Sequence, residues 1–232
     1  MNTEEKIRDY LFRSGLDALA VHVPVIEKAL HDFIAQLGTP MDVSNDALYR
    51  YAVPLISEDG SCSLIDEMDP TPYDLSGVLG GESESNTRKL KLLNILVTRA
   101  NMVTGADWVG IYQRRINGVG NPVLVKLAYR GRPSRAEFPL NPEFAKGSTN
   151  STVGLSGQAK LIDDVAAYVA EGSGFYVCDD AVQSEICLPI LDVTNGKVIG
   201  IIDAEASPTA FFNADRQSAI VAMALVATAL RP

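Results

Sequence analysis

The sequence predicts an α+β fold: an antiparallel sheet flanked by helices, with an N-terminal helical extension. Three observations carry this expectation. Apolar residues recur at helical spacing in the first 38 residues, over 87–104 and over 214–230. Between the last two, the segments 108–114, 123–130, 184–191 and 198–204 have strand character. They fall into two pairs joined by glycine-bearing turns, around Asn117-Gly118 and Thr194-Asn195-Gly196, which is the pattern of hairpins.

The elements follow in order. Leu30, Phe33, Ile34 and Leu37 share one helix face, Gly38 ends the run, and Pro24 separates it from a first short helix. Residues 39–85 are acidic and punctuated by Asp59-Gly60, Asp69-Pro70, Pro72, Gly77 and Gly80-Gly81, so they read as mostly irregular, with a short apolar segment over 49–56. The expected division is an extension over 1–85 and a main domain over 86–232. In the latter, helix 87–104 turns Leu90, Leu93, Leu96 and Ala100 to one side and stops at Gly105. Between the hairpins, 139–151 reads as an extended loop and 154–159 as a helix start. Asn213 caps a closing helix that is apolar nearly all round. That helix needs cover on both sides: the sheet on one, and the first helices or a second copy of the chain, as in a homodimer, on the other.

Composition removes several function classes. A net charge of −9, from 29 acidic and 20 basic residues, repels phosphate backbones and anionic headgroups, so neither nucleic acid nor a membrane surface is an expected partner. No apolar run approaches the roughly 18 to 20 residues that span a bilayer, and Met1-Asn2-Thr3-Glu4-Glu5 lacks the features of a signal peptide. The expected location is cytoplasmic. Cys62, Cys178 and Cys187 show no paired spacing, and His22 and His31 lie far from them in a helical region. Neither a metal site nor a disulfide framework is expected.

The strands also suggest a pocket. Alternation puts Trp108, Gly110 and Tyr112 on one face, two ring walls over a backbone floor that would suit a methyl or thioether group; the same pair could equally be core packing. In the second hairpin, a three-residue loop Thr194-Asn195-Gly196 sets Glu185 opposite Glu205 and Cys187 opposite Asp203. Like charges so placed are destabilising unless a proton or cation compensates them, and the patch suits a ligand bearing an amine. The other reading, a solvated acidic sheet face, does not fit the neighbouring Trp108 and Tyr112. Cys178 lies in a loop just before the acidic strand, with no basic residue in its local sequence to activate it.

Taken together, Trp108-Val109-Gly110-Ile111-Tyr112, Ile162-Asp163-Asp164-Val165, Cys178-Asp179, the run Ser184-Glu185-Ile186-Cys187-Leu188-Pro189-Ile190 and the run Gly200-Ile201-Ile202-Asp203-Ala204-Glu205 resemble the free methionine-(R)-sulfoxide reductases, a GAF-fold family, from about residue 87 onward. The resemblance implies a GAF-like sheet and no cofactor. By it, Cys178 attacks the sulfoxide sulfur, Glu185 and Asp203 bind and protonate the departing oxygen, Glu205 helps hold the amino group, and Trp108 with Tyr112 boxes the methyl end. The implied partners are free methionine sulfoxide, or a similar small amine-bearing ligand, and thioredoxin or a small thiol as reductant. Two departures stand out. Positions where relatives carry resolving cysteines hold Pro133-Ser134-Arg135-Ala136-Glu137-Phe138 and Ser156, and Glu205 stands where aspartate is usual. Recycling of Cys178 then falls to Cys187 or to an external thiol. The alternative function is a non-catalytic GAF module that binds a small molecule or senses it.

Overall fold

In a computed structural model the structure describes residues 2–58, 60, 62–172 and 179–230. The chain opens with α1 (Thr3–Ser14), where Asn2 and Glu5 cap each other's backbone N–H groups and Gly15, at φ 75°, ends the helix. A 3-10 turn (Asp17–His22) leads into α2 (Val23–Gln36), with Pro24 in the first turn, where its missing N–H costs nothing.

Residues 39–85 are more ordered than their punctuation suggests. They form α3 (Asn45–Tyr49), β1 (Arg50–Tyr51), β2 (Pro54–Ile56), β3 (Ser63–Met68), β4 (Tyr73–Asp74) and α4 (Leu75–Leu79). β1 pairs with β4 and β2 with β3, both antiparallel. Three of these strands have only two or three residues, too few to display an alternating pattern, which is why the sequence reads as irregular here.

The main sheet is entered through α5 (Glu84–Thr104), capped by Ser83 and closed by Gly105 at φ 70°. There follow β5 (Trp108–Ile116), β6 (Pro122–Arg130), β7 (Glu137–Pro139), α6 (Pro142–Ala145), α7 (Thr149–Ser156), β8 (Lys160–Ile162), α8 (Val165–Ala170), β9 (Ser184–Leu191), β10 (Val198–Ala206) and α9 (Ala214–Ala227). The six strands run in the order β7-β6-β5-β10-β9-β8, each antiparallel to its neighbours.

One sheet face, with Val109, Ile111, Ile186, Leu188, Ile202 and Ala204, packs into the main core with α5 and α9. The opposite face carries a smaller cluster of Trp108, Tyr112, Leu124, Cys187 and Ile201, covered by α7. Alternation alone produces this split, because successive side chains point to opposite faces.

The second side of α9 is covered within the chain. α2 lies along it, burying Val23, Ile26 and Phe33 against a helix whose residues 218–224 are all buried. Each such side chain contributes about 1.5–3 kcal/mol when fully removed from water. Among the described residues no helix is long and apolar enough to cross a membrane.

The region between the hairpins departs from expectation. It holds three short helices, α6, α7 and α8, and the segment expected to start a helix at 154 contains the end of one: Ser148 caps α7 and Gly157, at φ 72°, closes it. Gly154 sits inside α7 because the helix approaches the sheet closely; a Cβ there would lie 2.7 Å from Leu140 Cδ2.

Candidate functional site

The acidic pair positions follow from strand register. Glu185 is opposite Glu205 and Cys187 opposite Asp203 between β9 and β10, while β5 sets Gly110 against Asp203 and Trp108 against Glu205. The local cause differs in one detail from the expected three-residue loop. Asp192 N–H donates to Lys197 O at 2.8 Å, which leaves four residues in the turn with Gly196 at φ 69°, and an irregularity between Val198 and Gly200 restores the register.

Glu185 and Asp203 are each 2% exposed and Cys187 is fully buried. Their ligating atoms lie within 4.8 Å of one another, a spacing that suits a shared proton, an ammonium group or a metal ion. α7 supplies the neutral partners. The Thr149 hydroxyl donates to Glu185 Oε1, Asn150 Nδ2 donates to Asp203 Oδ2 at 3.0 Å, and Cys187 Sγ donates to Asn150 Oδ1 at 3.3 Å. Asp203 Oδ1 is buried with no hydrogen-bond partner.

Burial is the main cause of the site's proton affinity. It pushes the Glu185 carboxyl well above the usual range, and the nearby Asp203 and Glu205 charges add to it. Asp203 is pushed up to about 7, again by desolvation, although the hydrogen bonds from Asn150 and from the Ala204 backbone oppose the shift. Glu205 keeps partial exposure at the rim and is raised by desolvation and by Asp203. The Cys187 thiol is raised by burial and by the surrounding carboxylates, so it stays protonated.

The aromatic wall differs from an open slot. The Trp108 indole lies over Gly110, so close that a Cβ at 110 would be 2.1 Å from the ring, and Trp108 Nε1 donates to Arg132 O at 3.1 Å. Gly110 therefore floors the indole itself. Trp108 and Tyr112 have ring centroids 6.1 Å apart, and Phe138 meets Tyr112 edge-on at 5.3 Å.

Two further residues escape the sequence reading. Lys126 is fully buried, its ammonium 4.2 Å from the Tyr129 ring centroid and 5.2 Å from that of Tyr51, with hydrogen bonds to Ser134 O and Oγ at 2.5 and 2.8 Å. Desolvation lowers it to about 7, against the attraction of Glu205. A register shift in β6 explains its placement. Ile111 pairs with Ala128 but Tyr112 pairs with Lys126, so Leu127 is the extra residue and Lys126 and Tyr129 come to share the pocket face despite an odd separation. Tyr51 reaches this point from the extension, its hydroxyl donating to Lys126 O at 2.7 Å.

The structure thus brings together Trp108, Tyr112, Glu185, Cys187, Asp203 and Glu205. Cys178 lies outside the described residues. Cys62, given no role from sequence, is disulfide-bonded, whereas Cys187 is a free thiol. Thr149 and Asn150 left one signal in the sequence: they follow Ser148, a helix N-cap residue type, but nothing local ties that cap to the strand acids.

Comparison with known proteins agrees with this architecture. The family model for the GAF domain matches residues 89–230. Protein YtsP of Bacillus subtilis (strain 168) is 31% identical over 100 residues, 43% of this chain, and the match spans about half (53%) of that relative's length. The solved type II free methionine-R-sulfoxide reductase from Thermoplasma acidophilum superposes with a TM-score of 0.53 at 20% identity, covering 63% of this chain and 94% of that one. A putative GAF sensor protein from Burkholderia vietnamiensis gives a TM-score of 0.47 at 22% identity over 63% of this chain and 82% of its own.

Proposed function

The chain belongs to the GAF domain family, and on that footing we propose that it reduces free methionine-(R)-sulfoxide to methionine with Cys178 as nucleophile. The observation that carries this reading is the pair of buried carboxyls, Glu185 and Asp203, on adjacent strands with raised proton affinity. Sulfoxide reduction needs a proton donor at the oxygen, and a carboxyl kept neutral near pH 7 is such a donor.

In the proposed step the Cys178 sulfur attacks the sulfoxide sulfur while Glu185 and Asp203 protonate its oxygen. The S–O bond of the substrate breaks and the oxygen leaves on Cys178 as a sulfenic acid. The substrate sulfur gains two electrons, the cysteine sulfur loses two, and the thiol proton returns to the carboxyl pair. Glu205 at the rim suits the substrate ammonium, and the Trp108–Tyr112 pair the methyl end. Lys126, near Glu205 yet held by Ser134, adds a cation at the same end for the substrate carboxylate.

A non-catalytic binding module is the second reading, favoured by serine at position 156 where relatives carry a resolving thiol. Incubation with dithiothreitol and either epimer of free methionine sulfoxide, or a peptide containing it, separates the two. Methionine released from the free R epimer alone supports the enzyme. Saturable binding of that epimer with no methionine formed supports the module.

A further inference from the structure

The chain contains three cysteines; Cys187 is a free buried thiol, Cys62 is disulfide-bonded, and Cys178 is the third. Cys62 sits just before β3, at the tip of the small β2–β3 hairpin. Ser57 pins it there: Cys62 N–H donates to Ser57 Oγ at 2.9 Å and Ser57 N–H to Cys62 O at 2.9 Å. The hairpin adjoins the pocket through two arginines. Arg135, stacked over Phe138 and Phe144, donates to Gly60 O at 3.3 Å. Arg132 pairs with Asp66 of β3 at 3.4 Å and with Asp179 at 3.6 Å, and Asp179 directly follows Cys178 in the chain. One guanidinium therefore ties the hairpin that bears Cys62 to the residue next to Cys178.

We propose that Cys62, from the N-terminal extension, is the resolving thiol for Cys178. The proposal rests on the reading of Cys178 as the residue that forms a sulfenic acid. In the step, the Cys62 thiol attacks the Cys178 sulfenic sulfur, an S–S bond forms, the S–O bond breaks, and water leaves with the Cys62 proton. Cys62 is oxidised and the Cys178 sulfur reduced. An external dithiol then reduces the disulfide by two exchange steps and leaves as its own disulfide. The β2–β3 hairpin thereby does what a cysteine at position 156 or near Pro139 would otherwise do, and the extension becomes part of the catalytic cycle. Cys187 is the poorer candidate, because its sulfur is bound to Asn150 inside the acid patch.

The test is a single turnover of the reduced full chain with one equivalent of free methionine-(R)-sulfoxide and no thiol, followed by thiol counting and non-reducing peptide mapping. The expected result is loss of two thiols and a linked Cys62–Cys178 peptide. Cys62→Ser should form as much methionine in that first turnover, which also reports an intact fold, and should leave a sulfenic acid on Cys178 that a dimedone-type reagent traps. Its steady-state rate with a dithiol protein should fall about tenfold or more. A linked Cys178–Cys187 peptide, or an unchanged steady-state rate in Cys62→Ser, overturns the proposal. If no methionine forms at all, the reductase reading has failed, and hydrogen peroxide then tests the pairing alone. Peroxide-induced linkage of Cys62 to Cys178 upholds it, and a lasting sulfenic acid in the unsubstituted protein overturns it.

Discussion

Asn150 holds Asp203 by one oxygen only: its amide donates to Oδ2 at 3.0 Å, while Oδ1 is buried with no hydrogen-bond partner. An unsatisfied carboxyl oxygen in a buried site favours the protonated acid, which can turn its O–H toward a ligand. This arrangement governs the first prediction, on pH and stability. The Asp203 pKa is raised from 3.8 to about 7, so the fold binds its proton more tightly than the unfolded chain does. The stability tied to that proton is complete below about pH 4 and declines as pH rises toward 7. Asp203→Asn, neutral at every pH, should flatten this decline; denaturant melts at pH 5 and pH 8 measure it. An unchanged slope would remove Asp203 as its source.

The second prediction concerns catalysis. Glu185→Gln keeps the shape and the Thr149 contact but cannot deliver a proton, so kcat should fall by about 10²–10⁴-fold. If only KM rises, Glu185 is an anchor for the amine and not an acid.

The third concerns Lys126, whose pKa is lowered to about 7 in the fold. Here the unfolded chain holds the proton more tightly, so stability falls as pH drops from about 10 to 7 and stays low below that. Lys126→Met should abolish this loss and raise the melting temperature at pH 7, while weakening substrate binding. A variant that melts lower at pH 7 than at pH 10, as the parent should, would contradict the assignment.

The fourth concerns the aromatic wall. Gly110→Ala places a Cβ 2.1 Å from the Trp108 ring and must push the indole away, at a cost of about 1–3 kcal/mol. Trp108 is the only tryptophan in the chain, so its emission should shift to the red. Unchanged emission would mean that the indole does not lie over position 110.

Much of this site is legible in the sequence because β5, β9 and β10 alternate regularly across it. The shared face of Trp108 and Tyr112, and the meeting of Glu185 with Glu205 and of Cys187 with Asp203, follow from that period plus one turn. Lys126 with Tyr129 does not, since a single extra residue at Leu127 breaks the period, and a bulge leaves no clear local signature. Thr149, Asn150 and Tyr51 come from elements distant in sequence, and only tertiary packing carries them to the sheet. The same holds for α2 over α9: the apolar surface of both helices is evident in the sequence, but not that each covers the other.

The most direct test of the account compares the unsubstituted protein with Cys178→Ser, each reduced and mixed with an excess of free methionine-(R)-sulfoxide in the absence of any thiol. The unsubstituted protein should release one methionine per chain and the variant none, with the variant still binding the sulfoxide. Equal methionine from both, or none from either despite binding, would contradict it.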